Sequence, residues 1–288
     1  MNDTRKKIYV VTDIETTKNF RPNATKVAQI AGMPANMQLA FDVAWKAIDK
    51  QGNVYCEGSY VATDCFTFAL PYFTKKLGLY IEDAYNHNLA PRTFSQVRDH
   101  FNEDMAALDA KGYNVILCAY NAYFDFHNLE KTSKLLLNEH FLIEPRPILD
   151  IWHTWGMTVP ISYAKNAGRT DSGMYFLSTA EAAYAFESGN DNFIERHVAY
   201  DDVKIEAEVL LIALKRSSLE QRVLSVDPAK LPAMPWKKIN ERLQTKFPIV
   251  GLAGHGEAGE LPVYKMPMHK QKAFKGKFIE QRQIAYAN

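Results

Sequence analysis

Ile8-Tyr9-Val10-Val11-Thr12-Asp13-Ile14-Glu15-Thr16-Thr17 is the stretch on which the fold turns. Its β-branched and aromatic residues predict a strand from Lys7 to Thr12, closed by two acids two positions apart. Residues i and i+2 of a strand share a face, so Asp13 and Glu15 crowd like charges together unless a cation lies between them. Read alone, an Asp-x-Glu is most often a solvated pair at a strand end.

Two further segments change that reading. Ala119-Tyr120-Asn121-Ala122-Tyr123-Phe124-Asp125 follows the apolar run Val115-Ile116-Leu117-Cys118, and Arg196-His197-Val198-Ala199-Tyr200-Asp201-Asp202 precedes a long amphipathic stretch. Five residues along a continuous helix turn through about 500°, which would leave His197 and Asp202 about 140° apart. His197 is therefore expected in the loop before the helix and Asp202 in its first turns. Val203, Ala207, Leu210, Leu211 and Leu214 recur at helical spacing from Ala199 to Arg216. Asp125, Leu129 and Leu136 likewise place a helix over Ala122 to Leu137, with Asn121 as its N-cap. Either acid has an ordinary reading as a first-turn carboxylate facing the helix dipole, which is kept for Asp201. His127 falls on a different helical face from Asp125 and reads as structural.

Taken in order, Asp-x-Glu, Asn-x-x-x-Asp and His-x-x-x-x-Asp resemble the DEDDh-type 3′–5′ exonucleases, the DnaQ-like and RNase T-like superfamily that includes proofreading subunits and oligoribonuclease. The resemblance covers roughly residues 6 to 216. It implies that Asp13, Glu15, Asp125 and Asp202 bind metal, with Asp13 bridging two ions, and that His197 is the general base. It further implies that Thr16, Thr17 and Asn121 meet the substrate. Asp150 resembles an acid that the family often carries between its second and third motifs, and it is left outside the metal set. Lys18 stands where many members have glycine, and Tyr120 where many have histidine.

The chemistry agrees with that set. Two divalent ions about 3.5 to 4 Å apart can activate water, stabilise phosphoryl charge and neutralise the leaving oxygen. Oxygen-only ligands favour two Mg²⁺ or Mn²⁺ over Zn²⁺. A neutral imidazole with a pKa near 6.5 suits a base near neutral pH. The expected activity is hydrolysis of single-stranded nucleic acid from its 3′ end, releasing nucleoside 5′-monophosphates, with DNA favoured. An exoribonuclease, an oligonucleotidase, an endonuclease, a phosphodiesterase of small dinucleotides or a non-catalytic binding module are the alternatives. The implied partners are DNA or RNA 3′ ends and a polymerase or another replication or repair protein.

Further strands are expected at Gln38–Asp49, Val54–Ala62 and Asn114–Ala119, and further helices at Phe94–Lys111 and Leu177–Glu187. Gln51-Gly52-Asn53 is the turn of a hairpin. The order fits an α/β fold, the RNase H-like mixed sheet flanked by helices that the resemblance implies. The Tyr-rich segment Thr67–Pro91 reads as an insertion or an elaborated helix-loop, where substrate preference is expected to be decided.

At 288 residues and 47% hydrophobic the chain can bury a sizeable core. It carries no apolar run long enough for a membrane span, and no signal peptide is expected. Cys56, Cys65 and Cys118 have no metal-like spacing and read as reduced cytoplasmic thiols. The division expected is an exonuclease domain over residues 1–218 and a basic, proline-rich C-terminal extension over 219–288. From Lys230 onward lysine and arginine exceed acids by roughly seven, leaving the rest near −6 within a total of +1. Trp236, Phe247, Tyr264, Phe274 and Phe278 among those lysines have the makings of a nucleic-acid contact. The same rings could equally pack the extension onto the core.

Overall fold

The computed structural model describes residues 4–17, 38–65, 77–86, 89–168, 170, 175–216, 224–225, 239 and 242–243. The aromatic residues of the C-terminal extension named above lie outside the described residues, as does Lys18.

The central strand is β1 (Lys7–Thr16), and it is longer than its sequence suggests. It pairs antiparallel with β2 (Ala40–Ile48) right through the acids, Asp13 opposite Ala44 and Glu15 opposite Asp42. On its other side it pairs parallel with β5 (Asn114–Ala119), and that ladder stops at Val11 opposite Cys118. The two acids are therefore held in register by β2 while standing beyond the reach of β5. This corrects the expectation that the strand ends before them, because β2 supplies backbone partners that the sequence of β1 alone does not reveal.

β3 (Val54–Ala62) continues the antiparallel sheet, and β4 (Ala90–Arg92) lies parallel beside it. Beyond β5 come β6 (Ile148–Asp150), parallel, and β7 (Leu224–Ser225), antiparallel. The order is β4-β3-β2-β1-β5-β6-β7, a mixed seven-stranded sheet with helices on both faces. β7 comes from beyond residue 218, so the sheet draws a strand from the segment expected to be an extension. Ile239 and Leu243 are also fully buried, in the core on one face of the sheet.

Alternation along β1 distributes the layers. Ile8, Val10 and Ile14 point into a core with Phe41, Val43 and Trp45, covered by α2 (Phe94–Ala110) and α3 (Ala122–Leu137). Tyr9 and Val11 point the other way, into a core built with α4 (Ile151–Thr158) and α7 (Ala199–Arg216). Continuing that second face by twos leads to Asp13 and Glu15, which is why the acids look toward α7. The shorter helices are α1 (Leu77–Tyr85), α5 (Tyr163–Asn166) and α6 (Ala180–Ser188).

Local chemistry sets several boundaries. Thr93 and Gln96 form a reciprocal capping box at the start of α2, whose Phe94, Val97, Phe101, Met105 and Leu108 make one apolar stripe. The indole of Trp45 lies flat on β3, where a Cβ at Gly58 would fall 2.3 Å from the ring. Only glycine leaves room there. α3 stops at Asn138 in the left-handed conformation, with its N–H on Lys134 O.

Candidate active site

Three elements converge where β5 ends. β1 contributes Asp13 and Glu15, the first turn of α3 contributes Asp125, and the first turn of α7 contributes Asp202. This is the carboxyl edge of the parallel strands β1, β5 and β6, where open α/β sheets leave a crevice. The carboxyls act on one another. Burial pushes Asp13 well above the ordinary range, and Glu206, Asp202, Asp125 and Glu15 push it further. Asp125 is raised chiefly by burial and by the charges of Asp150 and Glu15, with the backbone N–H groups of Asp125 and Ile14 opposing.

Glu206 is the site residue that the sequence reading missed. It is 3% exposed, raised by burial and then by Asp125 and Asp202, and its Oε2 accepts from Tyr120 N–H at 3.2 Å. The signal was in the chain: Glu206 stands four residues after Asp202, one turn on along the same helix face. An acid in the apolar stripe of Val203, Ala207 and Leu210 is an anomaly that spacing alone exposes.

His197 lies in the loop two residues before α7, as the rotation argument requires. Its backbone is left-handed, with φ 54°, a conformation that costs a residue with a Cβ about 1 kcal/mol. The side chain is 49% exposed, with Nδ1 3.4 Å from Glu195 Oε2. Ligand-type atoms of Glu15, His197 and Asp202 lie within 4.8 Å of one another, and those of Glu181, Glu195 and His197 do so too.

The three residues expected to meet substrate are placed differently. Thr16 follows an irregularity in the β1–β2 register and is partly exposed. Thr17 is buried, its hydroxyl accepting from Leu39 N–H and its own N–H donating to Leu39 O, both at 2.9 Å. Asn121 occupies the N-cap position of α3 but does not cap it. Its φ is 72°, its side chain makes no capping bond, and its Oδ1 is buried with no hydrogen-bond partner among the described residues.

The capping is done by Asp150 instead. From the end of β6, its Oδ2 accepts from Ala122 N–H at 3.0 Å and its Oδ1 from His153 N–H at 2.7 Å. One fully buried carboxylate thus closes the N-termini of both α3 and α4. Burial raises its pKa to about 7 against those backbone donors. His127 stacks on Tyr123 at 5.0 Å, one turn away on a helix face other than that of Asp125.

No protein-family model and no curated protein matches the chain. Solved structures similar to it include the nuclease domain of 3′hExo, a DEDDh family member, bound to rAMP. That likeness has 14% identity and a TM-score of 0.44, over 74% of this chain and 94% of that one. A full-length 3′-exonuclease is 14% identical with a TM-score of 0.43, over 75% of this chain and 62% of that one. E. coli Exonuclease I in complex with a dT13 oligonucleotide is 12% identical with a TM-score of 0.44, over 73% of this chain and 42% of that one. The chain thus spans less than two thirds of the length of the latter two. No helix among the described residues is long and apolar enough to cross a membrane.

Proposed function

We propose that the chain is a metal-dependent 3′–5′ exonuclease acting on single-stranded nucleic acid, DNA by preference, with His197 as general base. The observation that carries this reading is the convergence of Asp13, Glu15, Asp125 and Asp202, each acid's charge opposing its neighbours' ionisation, with Glu15 and Asp202 beside His197. Such a set holds its protons or binds cations. The donors are hard oxygens, and they fit Mg²⁺ or Mn²⁺. These four acids would hold two such ions, which when bound supply Lewis-acid stabilisation of phosphoryl charge and make water more acidic.

The chain's own residues do the remainder. His197 accepts the proton of the attacking water. Glu195, beside Nδ1, favours the tautomer that carries its proton there and leaves Nε2 to receive the incoming one. Thr16, through its hydroxyl, and Asn121 are read as the residues that meet the 3′-terminal nucleotide. Thr17 supports them indirectly, by fixing the chain against Leu39. Free thiols at Cys56, Cys65 and Cys118 fit a cytoplasmic setting. A polymerase or repair protein as partner belongs to the same reading.

Glu206 joins the ligand shell in this account, holding Tyr120 on one side and facing the ions on the other. Glu206→Gln keeps an oxygen for the Tyr120 N–H while removing the charge. Its Mn²⁺ affinity should fall about 10-fold in titration calorimetry, in the range found when groups around a metal site are altered. Unchanged affinity would restrict Glu206 to holding the backbone.

The function is tested by a time course on 5′-labelled single-stranded DNA and RNA of matched sequence with Mg²⁺ or Mn²⁺. A ladder shortening from the 3′ end is expected, faster on DNA. Internal cuts would indicate an endonuclease. Cleavage of short oligonucleotides alone would indicate an oligonucleotidase, and no cleavage of any of these would leave a binding module.

A further inference from the structure

The left-handed backbone of His197 persists only if its surroundings over-determine it. Contacts on both sides of it in sequence do so, and both lead to α1. On the preceding side Arg196 spans two carboxylates, with Nη1 2.6 Å from Asp201 Oδ2 on α7 and Nη2 3.5 Å from Asp83 Oδ2 on α1. On the following side Ala199 N–H donates to Asp42 Oδ2 at 3.1 Å, and the Tyr80 hydroxyl of α1 donates to the same oxygen at 3.0 Å. Val198 between the two contacts is buried, as are Tyr80, Asp83, Asp42 and Ala199.

The contact with Asp201 is hydrogen-bonded, and that with Asp83 is a longer ionic one. A planar guanidinium can serve two acids on two helices at once, whereas an ammonium on a flexible stem is a single point charge. Asp83 and Tyr80 stand three residues apart and so share one face of α1. That face reaches the His197 loop directly through Asp83, at the residue before the histidine, and indirectly through Asp42 of β2, two residues after it.

We propose that α1 is a brace for His197, and that Arg196 and Asp83 are positioning residues holding the imidazole beside Glu15 and Asp202. The proposal rests on the reading of His197 as the base. It gives a positioning task to part of the Tyr-rich segment, although α1 places no group of its own among the acids read as metal-binding.

Asp83→Asn is the informative variant, since it breaks the α1 end of the link and leaves the Arg196–Asp201 pair in place. With single-stranded DNA and Mn²⁺, kcat should fall about 5- to 10-fold for Asp83→Asn and about 20- to 100-fold for Arg196→Ala. KM should stay within about twofold. Losses of this size follow when a reacting group shifts by about 1 Å. Arg196→Lys should fall between wild type and Arg196→Ala. The double variant should be no slower than Arg196→Ala, because both residues act through one link. Wild-type kcat for Asp83→Asn, or losses that multiply in the double variant, would overturn the brace.

A second readout is independent of turnover. In NMR spectra of the full chain, Asp83→Asn should shift or broaden the His197 ring signals and speed exchange of the Ala199 amide. Its melting temperature should stay within a few degrees of wild type. Unchanged ring signals and exchange would overturn the brace. Should the wild-type protein cut no nucleic acid, the exonuclease reading fails on that result while the ring signals still decide the brace.

Discussion

Asp13→Asn should remove at least about 10³-fold of the nuclease activity and at the same time stabilise the metal-free protein. The first effect follows from what the acid is proposed to hold. Stabilisation of phosphoryl charge is worth several kcal/mol, and each 1.4 kcal/mol is a factor of ten in rate. The second effect follows from crowding. Asp13 lies among Glu206, Asp202, Asp125 and Glu15, all of which oppose its ionisation. An isosteric amide removes one charge from that cluster and no packing. Relief of roughly 1–2 kcal/mol corresponds to a rise of about 2–8 °C in melting temperature for a domain of this size. Melts in chelator and in Mn²⁺ give the check: the variant should melt higher than wild type in chelator and gain less from the ion. A variant that keeps a tenth of the activity, or that melts lower in chelator, would remove Asp13 from the centre of the site.

Legibility of the fold and site divides along physical lines. The bounds of Val54–Ala62, Asn114–Ala119, Ala122–Leu137 and Ala199–Arg216 were readable because each carries its own apolar period and meets a clear break. Asp125 and Asp202 stand in the first turns of their helices, and His197 in the loop before the second, as spacing alone argued. β6 was not readable, since three residues contain no period. α4 follows it directly, with Asp150 as its cap. α6 starts at Ala180 rather than Leu177 because the Thr179 hydroxyl caps it, accepting from Ala182 N–H at 3.2 Å. The bounds of α1 were not readable within the Tyr-rich segment, because its Tyr80 and Asp83 face is set by Asp42, 38 residues before Tyr80, and by Arg196, far along the chain.

The site shows the same division. Residues of the motifs take the positions their spacing argued, and residues whose place depends on a distant partner were not read. Glu206 was marked by its spacing from Asp202 as an acid in an apolar stripe, but that it faces the other acids follows only from α7 lying over Asp13. Asn121 was assigned the cap of α3 because asparagine is the commonest local solution. The tertiary structure supplies a better one from 28 residues away. Asn121 is thereby released to a left-handed conformation that asparagine tolerates unusually well.

Asp150→Ala should be the most destabilising change near the site. Its carboxylate satisfies backbone N–H groups at the starts of two helices, inside a fully buried environment. Each cap is worth about 1–2 kcal/mol, so losing both costs about 2–4 kcal/mol, or roughly 5–15 °C in melting temperature. Asp150→Asn is a sharper probe, because its amide can accept one N–H while turning a donor toward the other. It should cost about 1–3 kcal/mol for the group left unsatisfied. The pH dependence has a definite sign. Asp150 titrates near 7 in the folded state and near 3.9 when unfolded, so the folded state binds more protons between those values. Its favourable contribution is complete below the lower value and is lost as pH rises through about 7. Asp13, Asp125 and Glu206 are shifted in the same direction. Asp49, held below the ordinary range by Asn53, Lys6 and Tyr55, acts only at the acid end, where its pairing fails. Chelated wild-type protein should therefore melt several degrees higher at pH 5.5 than at pH 8, and Asp150→Ala should flatten that slope as well as lower it. Since α3 carries Asp125, loosening its first turn should also weaken Mn²⁺ binding. A variant that melts within 2 °C of wild type, with an unchanged slope, would mean that the two helix starts are held by something other than this carboxylate.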